Sequence, residues 1–162
     1  DLIDNFQNIY EDKWLNMMRN KLGLFGEEKK DKKLINDLLD WMKKNKADYT
    51  NTFCHLMDIK SNDDIYKKPD FLKWTDKWKL RSKLNNSSKD IQIKLMNKNN
   101  PIIIPRNHKV EEALKEANNG NLNKINRLLD ILKKPYDNPD IANEYRIPAP
   151  DSKKKYQTFC GT

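Results

Sequence analysis

Residues 2–26 read LIDNFQNIYEDKWLNMMRNKLGLFG, and this stretch decides the fold class. Leu2/Ile3, Phe6, Ile9/Tyr10, Trp14, Met17/Met18 and Leu22 recur every three to four positions, the spacing that aligns side chains along one side of an α-helix. Gly23 and Gly26 then close that helix in a short turn. The same period returns outward along the chain. Leu34/Ile35, Leu38/Leu39 and Trp41/Met42 predict a second helix that runs into Lys43-Lys44-Asn45-Lys46. Asp48 or Thr50 can cap a third, carrying Tyr49, Phe53 and Leu56/Met57. Pro69 suits the first turn of a fourth, with Phe71, Trp74/Thr75, Trp78 and Leu84 on its apolar side. Ser87 or Ser88 caps a fifth, on which Ile91, Leu95 and Met96 align.

Asn100-Pro101 ends that run, because the residue before proline avoids the helical region. Pro101-Ile102-Ile103-Ile104-Pro105 reads as an extended, buried strap. A sixth helix starts at Asn107 or His108 with Val110, Ala113/Leu114 and Ala117 inward. A seventh, capped by Asn121, turns Ile125, Leu128/Leu129 and Leu132 inward and ends at Pro135. Gly120 and Asn121 leave so little loop that the two helices should pair antiparallel. Beyond Lys134 four prolines (135, 139, 148 and 150) and lost periodicity argue against another long helix. The expectation is an all-α protein: one domain of about seven helices over 1–133, then an irregular tail over 134–162.

Composition narrows the functional classes. Two cysteines, Cys54 and Cys160, exclude a disulfide-rich scaffold and a four-cysteine zinc site. Four glycines leave no room for a glycine-rich phosphate loop, and no apolar run approaches a membrane span. Net charge is +8, but 27 of the 32 basic residues are Lys, alongside 21 Asn. A joint excess of Lys and Asn is what an AT-rich genome would produce. Arg, the residue that grips phosphate and guanine bidentately, occurs five times. The stretch Lys79 to Lys109 still holds eight basic residues against Asp90 alone, so a basic helical module for nucleic acid or another anionic partner stands as the alternative function. The chain opens on Asp1 rather than Met, which suggests a piece of a longer protein.

Candidate chemistry is sparse. His55 and His108 each have a carboxylate one turn on (Asp58; Glu111 and Glu112), but nothing in the sequence completes a metal set. Asp58, Asn62, Asp63 and Asp64 resemble a calcium loop only loosely, since Lys60 sits at a ligand position and no Gly makes the turn. Cys54-His55 lacks a readable third group to orient a nucleophile. Glu27/Glu28 and Glu111/Glu112 fall where acids complement helix N-termini. Two places resist that account. Arg106, Asn107 and His108 arrive at a helix start on a rigid strap, where they can meet an anion or a neighbouring domain, or satisfy unpaired backbone groups. Cys160 stands third from the end, where a thiol can reach a distant partner, whereas Cys54 beside Phe53 reads as a small buried hydrophobe.

In order along the chain stand Lys21-Leu22-Gly23-Leu24, Ala47-Asp48-Tyr49-Thr50-Asn51-Thr52-Phe53, Asn100-Pro101 with Arg106-Asn107-His108, Asn119-Gly120, Leu128-Leu129 with Pro135-Tyr136-Asp137, and Cys160. This ordered set resembles the C-terminal part of the selenoprotein O family, protein adenylyltransferases of pseudokinase fold. Cys54 stands where the family usually has Arg, and Pro105 where Leu is usual. The resemblance implies a parent chain that transfers AMP from ATP to hydroxyl side chains of other proteins with a divalent metal, Mg or Mn. It also implies that the catalytic residues lie in an upstream kinase-like domain, so that no catalytic, cofactor-binding or metal-ligating residue is expected within 1–162. The partners it implies are that domain and the parent's protein substrates, with no membrane and no nucleic acid. It makes Cys160 a redox element, and the compartment cytoplasmic in a bacterium or mitochondrial in a eukaryote.

Overall fold

The structure is a computed structural model that describes residues 2–59, 64–137 and 143–149, the side chains of 2–4 excepted. Regular structure among these residues is helical throughout: α1 (Leu2–Lys21), α2 (Asp31–Asn45), α3 (Tyr49–Leu56), α4 (Pro69–Ser82), α5 (Lys89–Asn99), α6 (Asn107–Asn118), α7 (Asn123–Leu132) and α8 (Asn143–Arg146). Short 3-10 turns occupy Asp64–Lys67 and Lys83–Asn85. Backbone contacts divide the chain into two units, residues 1–102 and 103–162.

In the first unit α1 packs on α2 and α5, and α2 packs on α4. The core is the second half of the α1 pattern together with the α2 and α4 stripes: Met18, Leu22, Leu24, Ile35, Leu38, Phe53, Phe71 and Met96 are all within 2% of full burial. The start signals act as their chemistry dictates. Asp48 Oδ1 accepts the Asn51 N–H at 2.8 Å, Ser88 Oγ accepts the Ile91 N–H at 3.3 Å, and Pro69 occupies the first turn of α4. Two indoles tie the layers through their single donors. Trp74 Nε1 donates to the Leu34 carbonyl and Trp78 Nε1 to the Leu22 carbonyl, both at 2.9 Å.

Parts of the expected apolar stripes are not in the core. On α1, Phe6, Ile9, Tyr10 and Met17 are exposed. Leu84 is exposed because α4 ends at Ser82 and the following 3-10 turn changes the angular period. Ile91 is exposed on α5, which buries Met96 instead.

The second unit is built on α6 against α7. Lys124, in the first turn of α7, pairs with Glu112 and Glu116 in the later turns of α6, so the two helices run antiparallel. Ala113 on α6 faces Leu128 and Ile131 as the buried ridge of α7. A helix this slender covers one side of its neighbour, which leaves Leu129 and Leu114 in solvent and puts Ile131, rather than Leu129, inside. Ile103 of the strap donates its N–H to the Pro135 carbonyl at 3.1 Å. That bond anchors the strap to the chain that follows α7.

Candidate functional site

Side-chain chemistry in the first unit concentrates at the α1–α2 turn. Gly23 sits at φ +64° and Gly26 at φ +68°, both in the left-handed region. At Gly23 a Cβ would stand 2.5 Å from Gln92 Cγ and 2.9 Å from Met96 Cγ, so helix α5 lies directly on the turn. Asp31, at the start of α2, is fully buried beneath it. Its Oδ1 accepts from Arg81 Nε at 2.7 Å. Its Oδ2 accepts from Arg19 Nε at 2.8 Å, the Glu28 N–H at 3.0 Å and Arg81 Nη2 at 3.2 Å.

Burial by itself pushes the Asp31 carboxyl up. The Arg81 hydrogen bond, the Glu28 N–H and Arg19 outweigh it and hold the group below the usual carboxylate value. Arg81 also donates to the carbonyls of Phe25 and Gly26, at 3.1 and 3.3 Å. Asn85 closes the turn from the other side, accepting the Phe25 N–H at 2.9 Å and donating to the Gly23 carbonyl at 2.8 Å. Three charged residues spread over 62 positions thus make one buried knot around the loop. None of the three stood out in the sequence, where each is one ordinary charge among many.

A second polar joint fastens the end of α1 to the end of α5. Asn100 Nδ2 donates to the Lys21 carbonyl at 2.8 Å and the Met96 carbonyl at 2.9 Å, and Lys21 Nζ donates to the Asn99 carbonyl at 3.2 Å. The ammonium lies over the Phe53 and Tyr49 rings at 4.6 and 5.4 Å. Burial pushes the Lys21 amine down from the usual lysine range.

The residues singled out from sequence fall elsewhere. Arg106 is the N-cap of α6, and its carbonyl accepts the Lys109 and Val110 N–H groups at 2.9 and 3.0 Å. The Arg106 side chain makes no capping hydrogen bond there, Asn107 is exposed and His108 is half-buried. Burial, then the charges of Lys109 and Arg106, push the His108 imidazole down.

Cys54 is fully buried, and His55 stacks on Tyr66 with centroids 4.2 Å apart. Asp58 turns away to pair with Lys89 at 2.7 Å. Glu111 and Glu112 lie beyond the first turn of α6, and Glu112 serves Lys124 instead of the helix terminus. Cys160, together with Asn62 and Asp63 of the suggested calcium loop, lies outside the described residues.

Within the Lys79 to Lys109 stretch, Arg81 is buried on Asp31, Lys89 is paired with Asp58 and Lys109 with Glu112. Among the described residues no three His, Cys, Asp or Glu side chains converge on a metal-sized site. Asp31, the buried carboxylate, has both oxygens filled by arginine and backbone donors, which leaves it no oxygen for a divalent ion. No described helix is long and apolar enough to cross a membrane.

Comparison with known proteins gives a consistent answer. The sequence model of the family described as "Protein adenylyltransferase SelO" matches residues 1–133. Among curated proteins, the whole chain aligns with the protein nucleotidyltransferase YdiU of Pelagibacter ubique at 54% identity, covering 34% of that protein. It aligns with the protein of the same name from Nitrosococcus oceani at 42% identity over 33% of its length. The Bacillus mycoides protein gives 44% over 34%. The chain spans about a third of the length of the relatives it matches.

Proposed function

Since this chain belongs to the protein adenylyltransferase SelO family, we propose that it is the helical accessory part of a protein adenylyltransferase and holds no catalytic centre of its own. The observation that carries the reading is the match over residues 1–133, combined with coverage of only a third of each relative. In this reading residues 1–133 are the accessory domain and 134–162 its tail. The parent chain takes AMP from ATP, with Mg or Mn, and places it on hydroxyl side chains of substrate proteins. The divalent ion would neutralise triphosphate charge at residues outside this sequence. What residues 1–162 supply is shape: α1, α2, α4 and α5 locked by the Asp31 and Asn100 joints. Arg106, Asn107 and His108 are assigned to contact with the kinase-like domain. The same reading puts the protein in the cytoplasm of a bacterium, or in the mitochondrion of a eukaryote.

Labelled ATP supplied with Mg or Mn tests the reading. The full-length protein should transfer label from the α-phosphate to protein hydroxyls, and residues 1–162 alone should transfer none. Transfer by 1–162 alone, or none by the full-length protein, would overturn it.

Cys160 is assigned the redox role of the tail. Cys54 is fully buried, so in native protein Cys160 should alkylate at least about 10-fold faster, read by peptide mass spectrometry. Faster reaction at Cys54 would remove the assignment.

A further inference from the structure

Helix α1 buries apolar side chains only in its second half, and residues 5–10 of its first half are all exposed. Met18 faces the core at 1% exposure, while its neighbour Met17, about 100° round the helix, is 45% exposed. Phe6 and Tyr10 share the side of Met17, being about three turns and two turns before it, and are 66% and 61% exposed. Their rings stack on each other with centroids 6.3 Å apart, and Ile9 extends the patch at 42% exposure. No contact within the first unit explains three large apolar side chains in line on the outside of a helix.

We propose that this outer face of α1 is the docking surface for the two thirds of the family chain that lie outside this sequence. The proposal rests on the adenylyltransferase reading. The family match begins at residue 1, so α1 belongs to the family's own architecture from its first turn. The relatives align over the whole of this chain and are about three times as long, so a covering surface is available in the same polypeptide. Other occupants fit less well. The patch carries a single charge, Lys13 between Tyr10 and Met17, too little to hold nucleic acid or an anionic surface.

Thiol labelling of the full-length protein tests this. Phe6→Cys and Tyr10→Cys should react with a maleimide at least about 10-fold more slowly than Lys33→Cys, whose native side chain on α2 is 77% exposed. Equal rates would overturn the proposal. So would protection that disappears on dilution, which would assign the face to a second copy. Hydroxyl-radical footprinting of the unsubstituted full-length protein gives an independent reading. Tyr10 and Met17 should oxidise more slowly than the exposed Tyr136, and faster oxidation would count against the surface. AMP transfer by the same preparation separates the two readings: free labelling at positions 6 and 10 with intact transfer overturns the surface alone.

Discussion

Asp31 is the residue on which the first unit turns. A carboxylate with no solvent exposure persists as an anion because two guanidiniums and a backbone N–H replace its water. Removing its charge while keeping its shape leaves Arg81 in the interior without a carboxylate and Arg19 with the exposed Glu27 alone. Asp31→Asn should therefore cost about 3–5 kcal/mol in urea denaturation, and a loss under about 1 kcal/mol would show that water reaches the site. The pH dependence follows from the direction of the shift. The folded carboxyl titrates below its unfolded value, so its stabilisation is complete above about pH 4 and lost as pH falls through the folded value. The stability gap between the native protein and Asp31→Asn should be flat from about pH 5 to 8 and narrow in stronger acid. Nothing in the sequence forecast this site. Arg19, Asp31 and Arg81 are separated by 12 and 50 positions, and charge pattern carries no information over such distances. Asp48 was legible for the opposite reason, since a cap and its target lie within one turn.

Helices are where sequence and structure agree most closely, because burial imposes a 3.6-residue period wherever one side of a helix meets a neighbour. Of the stripe Leu34/Ile35, Leu38/Leu39 and Trp41/Met42, every residue but the half-buried Leu39 is buried. Agreement fails where the neighbour is missing or narrow. Periodicity reports that a helix is two-faced but not which adjacent apolar residue is covered, and so Ile131 rather than Leu129 fills the α7 interface. The turn after α1 shows a different limit. Gly23 was read as a stop, yet its second role, making room for Gln92 and Met96, depends on a helix some 70 residues further on. Gly23→Ala should be destabilising on both counts: about 1–2 kcal/mol for the left-handed backbone, and about 1–3 kcal/mol for crowding α5. Gly26→Ala meets open space and should cost only the backbone share. Equal thermal shifts for the two variants would contradict the packing argument.

On the scale of the whole molecule, net charge is a weaker guide than the +8 total suggests. Arg81 faces inward, and Lys89 and Lys109 are each held by a carboxylate. A short DNA or RNA duplex should accordingly show no saturable micromolar binding at physiological salt, and tight, steeply salt-dependent binding would revive the anionic-partner reading. The turn at 23–26 carries one more consequence, for the order of assembly. Its tethers from Trp78, Arg81 and Asn85 close loops of 55 to 62 residues, so they cannot form until most of the first unit has been gathered. Contacts that form after the folding barrier change the unfolding rate alone. Asn85→Ala should therefore speed unfolding several-fold in stopped-flow experiments and leave the refolding limb nearly unmoved. The knot at the first turn of the chain acts as a latch, drawn shut last and the first to give way.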